Sequence, residues 1–360
     1  MISMAATMKD IARRTGLGLA TISSYFNGGN VREKNRKKIE EAIEELHYEV
    51  NEVARGLKTN ATKTIGVVIP ELDMIFCTEI IIGMEDILRN HGYATIVCDC
   101  RTDKLLEKEA VEFLMRKRVD GIINMPVDSA GNHLKAFQRT GKPIILIDRM
   151  IQDISCDCVL VDNEQAAMDA VELLFANGHR SIGIIGGPSD VFTAQERMAG
   201  YFKAHQKHGV AVENALIYHG DYTIQGGVRG IEELVKRNPQ MTAVFVTNYE
   251  MTMGAVIGVN ELGIHLPDEL SLIGFDNLQF ARACNPKLTL VSQPTDRIAK
   301  EVARIMLDRL EGSRSDEQQE SGNVPGNIRR HRTSDGHIIE KLQTEMILGK
   351  SVACLAKCMP

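Results

Sequence analysis

Thr64-Ile65-Gly66-Val67-Val68-Ile69-Pro70 is an unbroken apolar run closed by a proline. A run this short, with no polar residue alternating through it, reads as a β-strand covered on both faces. An amphipathic stretch at 78–91 follows, and then the same pair of signals recurs. ATIVC (94–98), GIINM (121–125), PIILI (143–147), CVLV (158–161), SIGIIG (181–186), AVFV (243–246) and SLIG (271–274) are runs of the same kind. Between them lie amphipathic stretches at 104–118, 163–178, 193–209, 223–237 and 249–263. Strand, helix, strand, repeated with doubly buried strands, predicts doubly wound parallel sheets with helices on both faces. Roughly 250 residues in this pattern are enough for two such sheets side by side.

Upstream the pattern changes. Residues 8–48 read as three short helices, broken at Gly16 and Gly18 and again at Asn27-Gly28-Gly29-Asn30. The third runs from about Glu33 to Leu46, with Ile39, Ala42, Ile43 and Leu46 making one apolar stripe. Ala12 inside the first helix, Gly16 in the turn and Ile22 inside the second have the spacing of a helix-turn-helix. The second helix of such a unit lies in the major groove, with Leu19, Ala20 and Ser24 facing bases and Thr21, Ser23 and Asn27 nearer phosphates. Residues 51–59, with Asn51, Arg55, Leu57 and Lys58, form a weakly helical segment too short to be stable alone. Downstream, Gln293-Pro294 opens one more long helix to about Glu311. Residues 312–337 turn polar and irregular and are expected to be a flexible insertion. The apolar stretch 338–348 is expected to be a returning strand.

Charge divides along the same line. The 360 residues carry a net −6, but residues 1–63 hold eleven Lys/Arg against eight Asp/Glu, about +3, which leaves about −9 for the rest. A small basic head on an acidic body is what is expected when only one part meets phosphate. The 44% hydrophobic and 25% charged fractions exclude a disordered, collagen-like or coiled-coil chain. No apolar run approaches the ~18 residues of a membrane helix, and MISMAATMKDIARRTG reaches charge too early for a signal peptide. A cytoplasmic location is expected. The eight cysteines are then expected to be reduced, with no metal site at their spacings. No GxxxxGK[ST], HExxH, GxSxG or GxGxxG occurs, so neither catalysis nor a cofactor is expected.

The tokens MKDIARRTGLGLATIS, N-x-x-ARGLKT, TIGVVIP, GIINM, Asp148-Arg149, Val161-Asp162-Asn163, HRSIGIIGGP, ERMAGY, VTNYEMTMGA, LPDELSLIGFDN and Gln293-Pro294 occur in order from residue 7 to about 311. In that order and spacing the chain resembles the lactose-repressor (LacI/GalR) family of bacterial transcription regulators. The resemblance implies an all-α helix-turn-helix headpiece (1–50), a hinge helix or linker (51–62) and a two-lobed body like the periplasmic binding proteins. It assigns 63–161 and 293–311 to the N-terminal lobe, and 162–292 with about 338–348 to the C-terminal lobe. Three chain crossings between lobes are expected, near 161–163, near 291–293 and beyond 312. The implied function is a homodimeric, sequence-specific repressor of a palindromic operator that answers to a small-molecule effector, a sugar or sugar derivative.

Residue by residue, the resemblance places Leu57 as the apolar wedge that enters the minor groove and bends the duplex. It places Asn51, Arg55 and Lys58 on backbone or groove edges, and Arg36 on a phosphate. Position 24 is often basic in relatives and is Ser24 here, and Leu19 and Ala20 offer only apolar contact, which leaves more of the specificity to deformability of the DNA. Effector contacts map onto Phe76, Cys77, Arg149, Val191, Thr193, Arg197, Tyr222, Asn248, Asp276 and Gln293. Guanidinium and carboxylate groups make charge-assisted bonds to vicinal hydroxyls, and an aromatic ring stacks on a sugar face. Two other classes share parts of this pattern. A sugar transport receptor has the lobes but would need an export signal and no head, and a Rossmann-type enzyme would need a phosphate-binding fingerprint.

Overall fold

The computed structural model describes residues 6–26, 29–48, 61–312 and 328–355, and the chain separates into two compact units, 1–62 and 63–360. The first unit holds α1 (Met8–Thr15), α2 (Leu19–Phe26) and α3 (Glu33–Leu46). Asp10 stops α1 from fraying, since its carboxylate accepts the Thr7 N–H at 3.0 Å and the Thr7 hydroxyl at 2.6 Å. At the other end Gly16 takes φ +70°, a left-handed conformation that costs glycine little, and its N–H closes onto the Ala12 carbonyl. Ile11, Ile22 and Ile39, one from each helix, are fully buried together and are joined by Val31, Ala42 and Tyr48. So few buried side chains leave little margin for loss.

The second unit contains two sheets. The first lobe is built from β1 (Thr64–Ile69), α4 (Ile75–Asn90), β2 (Ala94–Asp99), α5 (Lys104–Lys117), β3 (Gly121–Asn124), α6 (Lys135–Gln138), β4 (Ile144–Ile147) and β5 (Asp157–Val161). The second takes α7 (Asn163–Ala176), β6 (Ile182–Gly186), α8 (Phe192–Lys207), β7 (Ile217–His219), α9 (Ile224–Arg237), β8 (Ala243–Val246), α10 (Tyr249–Glu261), β9 (Ser271–Phe275), α11 (Leu278–Ala283) and β10 (Thr289–Ser292). The chain then returns to the first lobe with α12 (Thr295–Glu311), β11 (Ile328–Arg332) and β12 (Ile338–Leu342), and ends in the second with β13 (Glu345–Ile347). The crossings fall at 161–163, 292–295 and 342–345. Strand order is β11-β12-β5-β4-β3-β1-β2 in one sheet and β13-β10-β9-β8-β6-β7 in the other. All pairings are parallel except those of β11 with β12 and β13 with β10. Each sheet has a separate apolar layer on either face, as doubly buried strands require.

Two sequence expectations need correction. The stretch 338–348 is not one strand of the second lobe: β12 pairs with β5 in the first-lobe sheet, and only β13 reaches the second. The segment 312–337 is not irregular throughout, because 328–332 forms β11 on the edge of the first sheet. Its composition concealed it. IRRHR has no apolar alternation, and ionic contacts hold it in place of apolar ones. The fully buried Glu340 accepts Arg330 Nε at 2.6 Å and Arg304 Nη2 at 2.8 Å. Arg309 makes a bidentate bond to the buried Asp157 at the start of the interior strand β5, at 2.6 and 2.9 Å. A charged outer strand also discourages edge-to-edge association.

Candidate functional site

In both sheets the strand order reverses beside the first strand, between β1 and β3 and between β6 and β8. Ligands of open α/β sheets bind outside the carboxyl ends of the strands at such points. A cleft of about 630 Å³ lies there, within the size range of small-molecule sites. From the first lobe it is lined by Met74, Phe76 and Glu79 after β1 and by Asp148 and Arg149 after β4. From the second come Thr193 and Arg197 after β6, Tyr222 after β7, Asn248 to Glu250 after β8, Asp276 and Asn277 after β9, and Gln293 after β10.

Arg197 anchors the second-lobe wall. Its Nε donates to Asn163 Oδ1 at 2.8 Å, its Nη1 to the Thr247 carbonyl at 2.6 Å, and its guanidinium lies 3.9 Å from the Phe275 ring centre. Asn163 opens α7 and Thr247 directly follows β8, so the guanidinium is fixed by two elements before any ligand arrives. Asp276 sits in the field of Arg197 and accepts Gln293 Nε2 at 2.6 Å and the Gln293 N–H at 3.1 Å. Burial outweighs these partners and pushes its carboxyl up to about 6. Gln293 is 7% exposed, and its Oε1 has no hydrogen-bond partner among the described residues.

Strained backbone gathers at the same place. Asp148, Tyr222, Asp276 and Asn277 have φ of 67°, 63°, 57° and 55°. Side chains rarely adopt this region, and such strain concentrates at functional sites. Tyr222 also depends on Gly187: a Cβ there would lie 2.2 Å from the ring. The ring is held with its hydroxyl 3.4 Å from Thr193 Oγ1. Asn248 caps α10, its Oδ1 accepting the Met251 N–H at 3.1 Å and its Nδ2 donating to Glu250 Oε2 at 2.6 Å.

Of the ten expected effector residues, Phe76, Arg149, Thr193, Arg197, Tyr222, Asn248, Asp276 and Gln293 line the cleft, while Cys77 and Val191 do not. Successive helical residues are about 100° apart, so Phe76 facing the cleft turns Cys77 into the core with Ile80, Met84 and Leu88. There its Sγ lies 3.5 Å from Met125 Sδ, and burial pushes the thiol up to about 12. Val191 precedes α8 as its N-cap residue, and its carbonyl accepts the Gln195 N–H. Sequence reasoning missed Asp148, Glu250 and Asn277. Each of the three stands within two residues of a named position, and that adjacency was the available signal.

In the head, Leu19 and Ala20 are exposed at the start of α2, while Thr21, Ser23 and Ser24 are half-buried. Arg36 is exposed, with its guanidinium 5.5 Å from the Tyr25 ring centre, and the Tyr25 hydroxyl donates to Glu40 Oε1 at 3.3 Å. Asn27 and the segment with Asn51, Arg55, Leu57 and Lys58 lie outside the described residues.

Comparison with known proteins agrees with both units. Residues 62–329 match the family of periplasmic binding proteins and the sugar-binding domain of the LacI family, and residues 7–51 match bacterial regulatory proteins of the lacI family. The chain is 32% identical over 313 residues to the HTH-type transcriptional repressor CytR of Escherichia coli K12, covering 86% of this chain and 91% of that protein. A structure of the transcriptional regulator CelR in complex with cellobiose aligns with a TM-score of 0.69 at 25% identity, over 96% of this chain and 99% of the other. The lac repressor dimer bound to operator and the anti-inducer ONPF aligns with a TM-score of 0.81 at 23% identity, over 97% and 99%, a likeness of fold.

Proposed function

The chain belongs to the LacI family of bacterial regulatory proteins, and on that premise we propose that it represses transcription as a homodimer whose grip on operator DNA is set by a sugar-like effector in the cleft. The observation that carries the effector half is the pairing of a prefixed guanidinium, Arg197, with a half-buried carboxylate, Asp276, in a cleft between two lobes. Vicinal hydroxyls can donate to the carboxylate and accept from the guanidinium at once, which fixes a polyol's orientation. The ring of Phe76 or Tyr222 supplies an apolar face. CelR, solved with cellobiose, is a relative of this fold whose ligand is a sugar.

The DNA half rests on the head. α2 presents Leu19 and Ala20 outward with Thr21, Ser23 and Ser24 beside them, and Arg36 projects from α3. Apolar Leu19 and Ala20 suit thymine methyl groups, and Arg36 suits phosphate. Asn27, Asn51, Arg55, Leu57 and Lys58 complete the reading as groove and backbone contacts, with Leu57 as the wedge. Lobe closure on the effector alters the separation of the two hinges in the dimer, and so whether both wedges engage. On this reading the protein is a cytoplasmic regulator and not an enzyme, and it needs no cofactor. Among the described residues no helix is long and apolar enough to cross a membrane.

The test is a thermal-shift screen of sugars with the purified protein, repeated with Arg197→Ala, alongside footprinting of its own promoter region. The expected result is a sugar that raises the melting temperature of the parent but not of the variant and changes operator occupancy. A hit that stabilises both proteins equally would remove the cleft assignment. For the head, Leu57→Ala is expected to weaken operator binding far more than binding to random DNA; equal losses would remove the wedge.

A further inference from the structure

Each guanidinium of the cleft has a carboxylate within its field. Asp276 feels the charge of Arg197, whose own hydrogen bonds go to Asn163 and the Thr247 carbonyl, and Arg149 lies 3.6 Å from Asp148 Oδ2 while its Nη1 donates to the Pro126 carbonyl at 3.0 Å. Glu250, at the start of α10, lines the cleft with no cation within ion-pair distance among the described residues. Its carboxylate accepts bonds from the Asn248 side chain and from its own backbone N–H, and the charges that act on it most are those of Asp276, Asp73 and Glu71, all negative. Burial and these neighbours together push its carboxyl up. Gln293 repeats the pattern with a neutral group. Its Nε2 is committed to Asp276, which leaves the buried Oε1 as an acceptor with nothing to accept. The groups that await a partner are therefore acceptors, and the surplus charge is negative. A ligand that satisfies them must bring hydrogen-bond donors and, for Glu250, a positive charge. A phosphate ester would bring the wrong sign next to a carboxylate that has no cation of its own.

Resting on the sugar-effector reading above, we propose that Glu250 sets the charge class of the effector: the cleft takes an amine-bearing sugar, with its ammonium on Glu250 and a donor on Gln293 Oε1, and turns away phosphorylated sugars. Glu250 follows Asn248 by two residues at the start of α10, where the capping bonds of Asn248 fix both the helix start and the carboxylate. Specificity is then a difference between sugars of one shape, attraction for the ammonium and repulsion of the phosphate, produced by a single side chain.

The experiment is calorimetric titration of the full-length protein with D-glucose, D-galactose, D-mannose and their β-1,4-linked dimers, each as the free, the 2-amino and the phosphate form. In at least one set the amine is expected to bind about tenfold or more tighter than its neutral counterpart, as a hydrogen bond between charged groups allows, and the phosphate weakest of the three. Glu250→Gln keeps the shape and the bond to Asn248, and is expected to bring amine and neutral sugar level while relieving the penalty on the phosphate. Neutral sugars that bind through Arg197 with no gain from the amine, an amine preference that survives Glu250→Gln, or a phosphate that binds best would each overturn the proposal and leave the sugar-effector reading standing. Failure of every sugar to bind would overturn both.

Discussion

On the proposed reading, Asp276 has opposite effects on the free protein and on the complex. In the free protein burial raises its carboxyl to about 6, above the unfolded value of about 3.9. The folded state then holds the proton more tightly than the unfolded chain, so this group's contribution to stability is full below the unfolded value and is lost as pH rises through about 6. At pH 7 the ionised carboxylate is a cost, which ligand hydroxyls are expected to offset by donating to it. Asp276→Asn is therefore expected to melt at or above the parent's temperature at pH 7 while losing about 1.5–3 kcal/mol of ligand affinity. Affinity of the parent is expected to fall as pH drops below about 6, because the proton must leave before the hydroxyls can bond. Calorimetry across pH 5–8 checks this, and an affinity flat through that window would show that Asp276 is not a ligand contact.

At the scale of elements, the turn after β6 holds Gly187 under the Tyr222 ring. The clash that Gly187→Ala introduces is with the far end of a side chain, which can swing away, so the variant is expected to fold and melt within a few degrees of the parent. Ligand affinity is expected to drop because the displaced ring no longer closes the cleft, and a variant that binds as the parent does would show that Tyr222 is a bystander. The head is more sensitive. Ile22 is fully buried where the three helices meet, and truncation to alanine costs about 2–5 kcal/mol at such a site. A core this small cannot absorb that loss, so Ile22→Ala is expected to abolish operator binding while the ligand-induced melting shift of the body persists. Elements of this kind were legible in the sequence because burial wrote them as apolar periodicity: doubly buried strands as continuous runs, one-sided helices as stripes. β11 was not, since ion pairs to the buried Glu340 replace the apolar signal, and β12 was expected as a strand but in the wrong lobe, because sheet membership is decided by pairing with β5. The cleft was legible where a family position fell at a strand end, as with Arg197 and Asp276. It failed at Cys77, where the helical rotation after Phe76 decides direction and a motif does not encode it.

At the scale of the molecule, the chain crosses between the lobes at 161–163, 292–295 and 342–345, and side-chain contacts across the lobes restrain their movement on those three strands of chain. Lys341 on β12 and Glu196 on α8 form one such contact, at 3.5 Å, joining the first lobe to the second away from the cleft lining. Burial raises the Glu196 carboxyl, Lys341 lowers it in part, and Glu196 Oε2 has no hydrogen-bond partner among the described residues. Burial of the Glu196 carboxyl therefore outweighs the attraction of Lys341, which makes the pair a weak restraint. Lys341→Met keeps the aliphatic stem and removes the charge, which shifts the balance between open and closed lobes without touching ligand. Its expected effect is a few-fold change in ligand affinity with the Arg197 and Asp276 contacts intact. Binding linkage then fixes a second number: the factor by which ligand changes operator affinity must equal the factor by which operator changes ligand affinity, in the variant as in the parent. If Lys341→Met moves ligand affinity but leaves that coupling factor unchanged, the ion pair tunes the cleft alone. A change in both, in equal proportion from either side, places the Lys341–Glu196 contact on the route between effector and DNA.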